Sequence, residues 1–148
     1  MKYVRPGIAV ALFGFALVFT QVWAQDAPTG TVWDGVYTAD QAKRGGALYT
    51  DRCMMCHGDT LSGGEQAPPL AGGEFLSNWN GLTAGDLFER IRITMPANNP
   101  QSMNRETTTV ILAFILSYNQ FPAGRAELST RTEVLKQIRI EAEKPEKK

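Results

Sequence analysis

Three residues that could carry chemistry lie within five consecutive positions of the chain. Cys53 and Cys56 are its only cysteines, and His57 is its only histidine. Two thiols about one helical turn apart can form thioether bonds with the two vinyl groups on one edge of a porphyrin, which places the next imidazole beneath the iron. This C-x-x-C-H spacing is the attachment pattern of c-type haem. The sequence therefore predicts one covalently bound haem c held by these three residues.

Three other uses of the cysteine pair are weaker interpretations. A thioredoxin-like dithiol has its C-x-x-C at the start of a helix that follows a strand, and the sequence shows no strand-helix-strand pattern. A disulfide between Cys53 and Cys56 would close a loop too small to add much stability. Zinc would need four ligands, whereas the chain offers three adjacent residues of the preferred types. Haem attachment is the favoured interpretation.

A single histidine leaves the second axial position of the iron to a methionine, to a weaker ligand or to nothing. Of the five methionines, one begins the chain and two lie inside the attachment turn, where neither could reach the opposite face of the ring. Met95 and Met103 remain. Met95 is favoured because Pro96 restricts the backbone beside it, and Met103 is expected to pack as a hydrophobe. The alternative is an open sixth position with both methionines in the core.

Helical periodicity predicts three helices that must position these residues. They are expected over 39–52, between Thr83 and Met95, and over 106–119. Thr38 lies at capping-box spacing from Gln41, and the first helix is expected to end at the cysteines. The segment 58–73 contains seven glycines and prolines, too many for regular structure. We therefore expect a long loop there, held by contacts other than its own backbone ladder.

The first 24 residues have the three-part order of a secretory signal peptide. Two positive charges precede an apolar run over 7–19, and the small residue Ala24 ends a short, more polar stretch. Cleavage is predicted after Ala24, because an uncleaved anchor would need about 20 apolar residues. The mature chain is then expected in the bacterial periplasm, without stable membrane insertion after cleavage. Residues 25–37 are interpreted as an N-terminal arm.

Composition excludes several classes of protein. With 43% hydrophobic and 20% charged residues, the 148-residue chain is typical of one ordinary globular domain. Residues 1–24 hold two of the 15 basic residues, so the rest of the chain has 13 basic against 15 acidic residues. This slight acidity predicts no nucleic-acid partner.

Taken together, these features resemble the class I mono-haem cytochromes c. The resemblance covers about Thr38 to Asn119. It rests on Gly45 and Tyr49 before the cysteines, Pro68-Pro69-Leu70 after them, Met95-Pro96, and an apolar last helix with Leu112-Ala113-Phe114-Ile115-Leu116. It implies an all-α fold in which three to four helices wrap around one covalently bound haem, with long glycine- and proline-rich loops.

The resemblance also implies roles for individual residues. His57 and Met95 would be the axial ligands, and the carbonyl of Pro68, or of Pro69, would accept the second imidazole N–H. Gly45 and Tyr49 of the first helix would cross Phe114 of the last.

A narrower resemblance is to small periplasmic cytochromes associated with quinoprotein dehydrogenases, based on residues 75–83, the Met95-Pro96 loop and the exit at 121–124. Trp79 in this run could donate its indole N–H to a haem propionate or could belong to the core. The cytochrome c domain would span 38–124, followed by a charged C-terminal extension, 125–148. Within that extension we expect a solvated helix over 128–140, with a docking element as the alternative.

An iron held by imidazole and thioether has no vacant position, which favours outer-sphere electron transfer over bound-substrate chemistry. The chain is thus expected to be an electron carrier and not itself an enzyme. Its expected partners are a periplasmic dehydrogenase, possibly a quinoprotein, as donor and a respiratory oxidase or another cytochrome as acceptor. Alternatives are a haem subunit fixed in a dehydrogenase complex, and a haem peroxidase or gas-binding protein with an open sixth site.

Overall fold

The computed structural model describes residues 29–65 and 67–146. Its elements are strand β1 (Gly30–Thr31), a 3-10 turn (Val32–Asp34), helices α1 (Ala39–Arg52), α2 (Met54–His57), α3 (Gly72–Trp79), α4 (Ala84–Thr94), α5 (Arg105–Tyr118) and α6 (Thr132–Leu135), and strand β2 (Ile138–Arg139). The mostly helical fold expected from the sequence is confirmed. The predicted signal peptide lies outside the described residues, and no helix within them is long and apolar enough to cross a membrane.

The three predicted helices are confirmed as α1, α4 and α5, and each begins at a capping side chain. The hydroxyl of Thr38 accepts from the backbone N–H of Gln41 at 3.1 Å. Thr83 and Asp86 form a reciprocal capping box at the start of α4, and Asn104 caps α5. These caps satisfy backbone donors that have no partner within the first helical turn.

Helices α1 and α5 cross at a point where no side chain fits between them. A Cβ atom on Gly45 would lie 1.8 Å from the Val110 carbonyl oxygen and 2.9 Å from Phe114 Cβ. One turn further along α1, the rings of Tyr49 and Phe114 are tilted against each other with centroids 5.1 Å apart. Gly45 and Tyr49 of α1 therefore cross Phe114 of α5, as the resemblance implied. This contact fixes the end of α1 that leads into the cysteines.

Two helices differ from the sequence expectation. Helix α3 covers Gly72–Trp79, a stretch for which no helix was predicted because two glycines open it. The predicted helix over 128–140 is wrong: only Thr132–Leu135 is helical, and Ile138–Arg139 is a strand that pairs in parallel with β1. Leu135 and Ile140 have no exposed surface. Leu135 and Ile140 therefore belong to the core, although Val134 is exposed, and the expectation of a solvated helix is also wrong.

The segment after Gly124 is fastened to α1 by a buried side chain. Gln41 is 2% exposed, and its amide nitrogen donates to the Leu128 carbonyl at 3.0 Å while its amide oxygen accepts from the Leu128 N–H at 2.7 Å. Gln41 thus pairs with the C-terminal segment and not with Thr38 in a reciprocal capping box.

Replacing Gln41 by alanine is expected to lower the free energy of unfolding by about 2–4 kcal/mol, because two buried backbone groups of Leu128 lose their partner. Urea unfolding followed by far-UV circular dichroism measures this. Gln120→Ala is the control, because that glutamine is exposed and reaches only the nearby Tyr118 carbonyl. Equal midpoints for the two variants would contradict the prediction.

The carboxylate of Glu89 in α4 also links this helix to α6 and α5. Arg92 donates to one oxygen of this carboxylate at 2.7 Å, and the Thr132 hydroxyl donates to the other at 2.6 Å. Arg105 lies 3.8 Å away and also donates to the Thr130 carbonyl. The hydrogen bonds from Arg92 and Thr132 and the nearby positive charges hold the pKa of the Glu89 carboxyl below its ordinary value.

The lowered pKa predicts how stability changes with pH. Because the folded chain binds this proton less tightly than the unfolded chain, Glu89 stabilises the fold above about pH 4.5 and loses that effect as the pH falls through its lowered pKa. Glu89→Gln should lower the urea midpoint at neutral pH and reduce its fall on acidification. Glu133→Gln, at an exposed position of α6, is the control. An unaltered acid dependence in Glu89→Gln would refute the assignment.

Candidate functional site

The two cysteines bracket a single tight turn at the end of α1. The backbone N–H of Cys53 donates to Tyr49 O at 2.8 Å, and Cys53 O accepts from the N–H groups of Cys56 at 3.1 Å and His57 at 2.9 Å. The chain thus winds directly from α1 into α2, which ends at His57. No disulfide joins the two residues; Cys53 is partly buried and Cys56 is exposed.

His57 is held in a defined orientation by a backbone oxygen. The residue is 6% exposed, and its ring nitrogen Nδ1 lies 2.9 Å from the Pro68 carbonyl oxygen. That distance requires Nδ1 to carry the proton, since a carbonyl can only accept. The other ring nitrogen, Nε2, has no hydrogen-bond partner within 29–65 and 67–146. A neutral imidazole in this tautomer has a lone pair on Nε2 to offer to a metal.

The environment of Cys53 differs from that of a reactive dithiol. Burial raises the pKa of this thiol to about 11, with a smaller opposing effect from Arg52. Catalytic C-x-x-C motifs lower the pKa of a thiol to make a thiolate at neutral pH. The motif here also follows a helix. Both observations argue against thiol-disulfide exchange.

The two candidate methionines occupy different environments. Met103 is 4% exposed and belongs to the hydrophobic core. Met95 is the C-cap of α4, in extended backbone conformation, and packs against the core while remaining partly exposed. The structure therefore places Met103 where a hydrophobe is needed and Met95 at the core's margin. The other two methionines in the described part of the chain, Met54 and Met55, are exposed.

Trp79 ends α3 and packs against the core, with its ring 6.3 Å from that of Phe75. Its indole N–H has no hydrogen-bond partner among the residues that the structure describes. In contrast, the indole of Trp33 donates to Glu141 O at 2.9 Å.

The chemistry of these groups fits a covalently attached haem. Two cysteine side chains precede a buried imidazole whose protonated nitrogen is satisfied and whose other nitrogen has no hydrogen-bond partner among the described residues. Sequence reasoning found all three residues from their spacing. It missed the hydroxyl of Tyr49, which donates to Gly58 O at 2.7 Å. An aromatic residue in a helix indicates that its ring packs against a neighbour, but not which oxygen atom its hydroxyl reaches.

Comparison with known families gives one match that spans the site. Residues 40–115, just over half of the chain, match the family described as cytochrome c oxidase, cbb3-type, subunit III. The matched region runs from the start of α1 to most of α5 and includes the attachment turn and Met95.

The chain belongs to this cytochrome c family. Its cofactor is one covalently bound haem c containing iron. Comparison with curated proteins gives no match. Among solved structures, the cytochrome is similar to the sulfane dehydrogenase SoxCD from Paracoccus pantotrophus. The identity is 23%, with a TM-score of 0.48 over 73% of this chain and 61% of that one. The present chain thus spans less than two thirds of the solved chain that it matches.

Proposed function

We propose that this cytochrome is a periplasmic electron carrier that moves single electrons from a dehydrogenase to a respiratory oxidase or another cytochrome. The observation that carries the proposal is the imidazole of His57, which is buried and held at Nδ1 by the Pro68 carbonyl, while Nε2 has no hydrogen-bond partner among the described residues. The haem supplies the redox chemistry, since its iron alternates between the ferrous and ferric states.

In this proposal Cys53 and Cys56 form the two thioether bonds, and His57 Nε2 and the Met95 sulfur are the axial ligands. Met95 is supported because its side chain reaches the margin of the core, whereas that of Met103 is enclosed within it. Both axial positions are then filled by the protein. A filled coordination sphere leaves no place for a substrate on the metal and favours outer-sphere transfer.

Two further residues complete the site. The Pro68 carbonyl keeps His57 in one tautomer and one ring orientation, as acceptors behind metal-bound imidazoles do. The indole N–H of Trp79 donates to a haem propionate. Trp79 is supported in this role because its donor has no partner in the described part of the chain, although much of its ring is buried.

The periplasmic location follows from the signal-peptide pattern of residues 1–24, which predicts export. A quinoprotein dehydrogenase is the proposed donor, on the narrower sequence resemblance of residues 75–83.

The test is to express the full chain in cells that contain the haem-attachment machinery, and to treat the purified protein with acidified acetone. Covalently bound pigment stays with the protein. Cys53→Ala/Cys56→Ala, the matched control, should release any pigment it has acquired. A colourless wild-type protein, or one that loses its haem to the solvent, would refute the proposal.

A second measurement separates an electron carrier from an open-site haem protein. The reduced wild-type protein should show a low-spin spectrum that carbon monoxide does not change, and it should pass electrons to an oxidised cytochrome in stopped-flow mixing. High-spin spectra and rapid carbon monoxide binding would favour the peroxidase or gas-binding alternative. Persistent co-purification with a dehydrogenase at high salt would favour a fixed subunit.

A further inference from the structure

Gly63 lies between the His57 turn and the segment that carries the Pro68 carbonyl and contacts both. Its N–H donates to His57 O at 2.9 Å, and its φ of +74° is in the left-handed region. A Cβ atom there would lie 2.5 Å from Ala67 O, 2.7 Å from Pro69 N and 2.8 Å from Pro68 C. These are backbone atoms, so no side-chain rotation could relieve the contact. A glycine is therefore required for the two segments to touch.

Tyr49 holds the other side of the same turn. The residue is 2% exposed, and its hydroxyl donates to Gly58 O, the carbonyl that directly follows His57, at 2.7 Å. Its ring is fixed in turn by Phe114 of α5, with centroids 5.1 Å apart. The peptide after His57 is thus tied to the crossing of α1 and α5 on one side and, through Gly63, to residues 67–69 on the other.

We infer that Tyr49 and Gly63 are positioning residues that set the hydrogen bond between His57 Nδ1 and Pro68 O. The inference rests on the proposed role of His57 as an axial ligand. A hydrogen bond accepted from the protonated nitrogen of a coordinating imidazole makes the imidazole a stronger electron donor. A stronger donor stabilises ferric iron and lowers the reduction potential. Lengthening this bond should therefore raise the potential.

The test compares two neighbouring glycines. Gly63→Ala should displace residues 67–69 from His57 and thereby raise the reduction potential. It should also speed exchange of the His57 Nδ1 proton in the reduced protein by about tenfold, which corresponds to the loss of one hydrogen bond. Gly64→Ala is the matched control, because its Cβ would come no closer than 3.7 Å to Cys56 O, an ordinary contact. It should leave the potential and the exchange rate unchanged.

Two further variants keep the test decisive if Gly63→Ala fails to load haem. Gly63→Asn keeps the close Cβ contact but tolerates the left-handed backbone, and Tyr49→Phe removes only the hydroxyl. Both should change the potential and the proton exchange in the same direction as Gly63→Ala. If these variants are less stable in urea but all have the wild-type reduction potential and proton exchange rate, the inference is overturned. Because wild-type haem retention is measured first, that outcome is distinct from failure of the proposed function.

Discussion

Replacing Met95 by alanine is expected to abolish the far-red sulfur-to-iron absorption band of the oxidised protein and to lower its reduction potential. Met95 is the proposed sixth ligand; a thioether ligand stabilises ferrous iron and raises the potential, and alanine has no atom that could coordinate. The iron should become open to added ligands, so carbon monoxide should bind the reduced variant. Absorption spectra and potentiometric titration of wild-type and variant proteins measure both effects.

Met103→Ala is the matched control because it removes the same side chain from a different environment. Met103 is 4% exposed, so the variant should keep the far-red band and lose about 2–5 kcal/mol of stability, the range for truncating a buried methionine. The two substitutions thus separate ligation from packing. Retention of the band in Met95→Ala together with its loss in Met103→Ala would reverse the assignment of the sixth ligand.

Gly45→Ala is expected to destabilise the folded protein by about 3 kcal/mol, at the upper end of the usual cost of overpacking. Its Cβ would lie 1.8 Å from the Val110 carbonyl oxygen, so α1 and α5 would have to separate along their whole crossing. A change of that size is a large fraction of the stability of an ordinary domain. Urea unfolding of the haem-loaded protein measures it.

The adjacent Gly46 provides the control. A Cβ there would meet only the ring of Phe114, at 3.2 Å, and alanine is favoured over glycine within a helix by about 1 kcal/mol. Gly46→Ala should therefore stay within about 1 kcal/mol of the wild type. Similar losses for both variants would show that the cost arises from the helix itself and not from the crossing.

The parts of the fold that follow from local pattern were predictable. Helices α1, α4 and α5 have apolar periodicity, and α1 and α4 have start signals at Thr38 and Thr83, all of which act between residues close in the chain. The segment after Gly124 was not predictable in this way. Its charges favoured a solvated helix, whereas the partners of Leu128 and Ile138 are Gln41 and Gly30, which lie about a hundred residues earlier.

The chemistry of the site could be predicted from the sequence alone: two thiols and an imidazole lie at a spacing that suits covalent haem attachment. This was possible because all the groups concerned lie in one turn of backbone, where spacing alone sets geometry. The tertiary structure alone decided that Pro68, and not Pro69, meets His57, and that Tyr49 and Gly63 hold the turn. Those contacts join residues from separate segments, and their distances depend on how the whole chain packs.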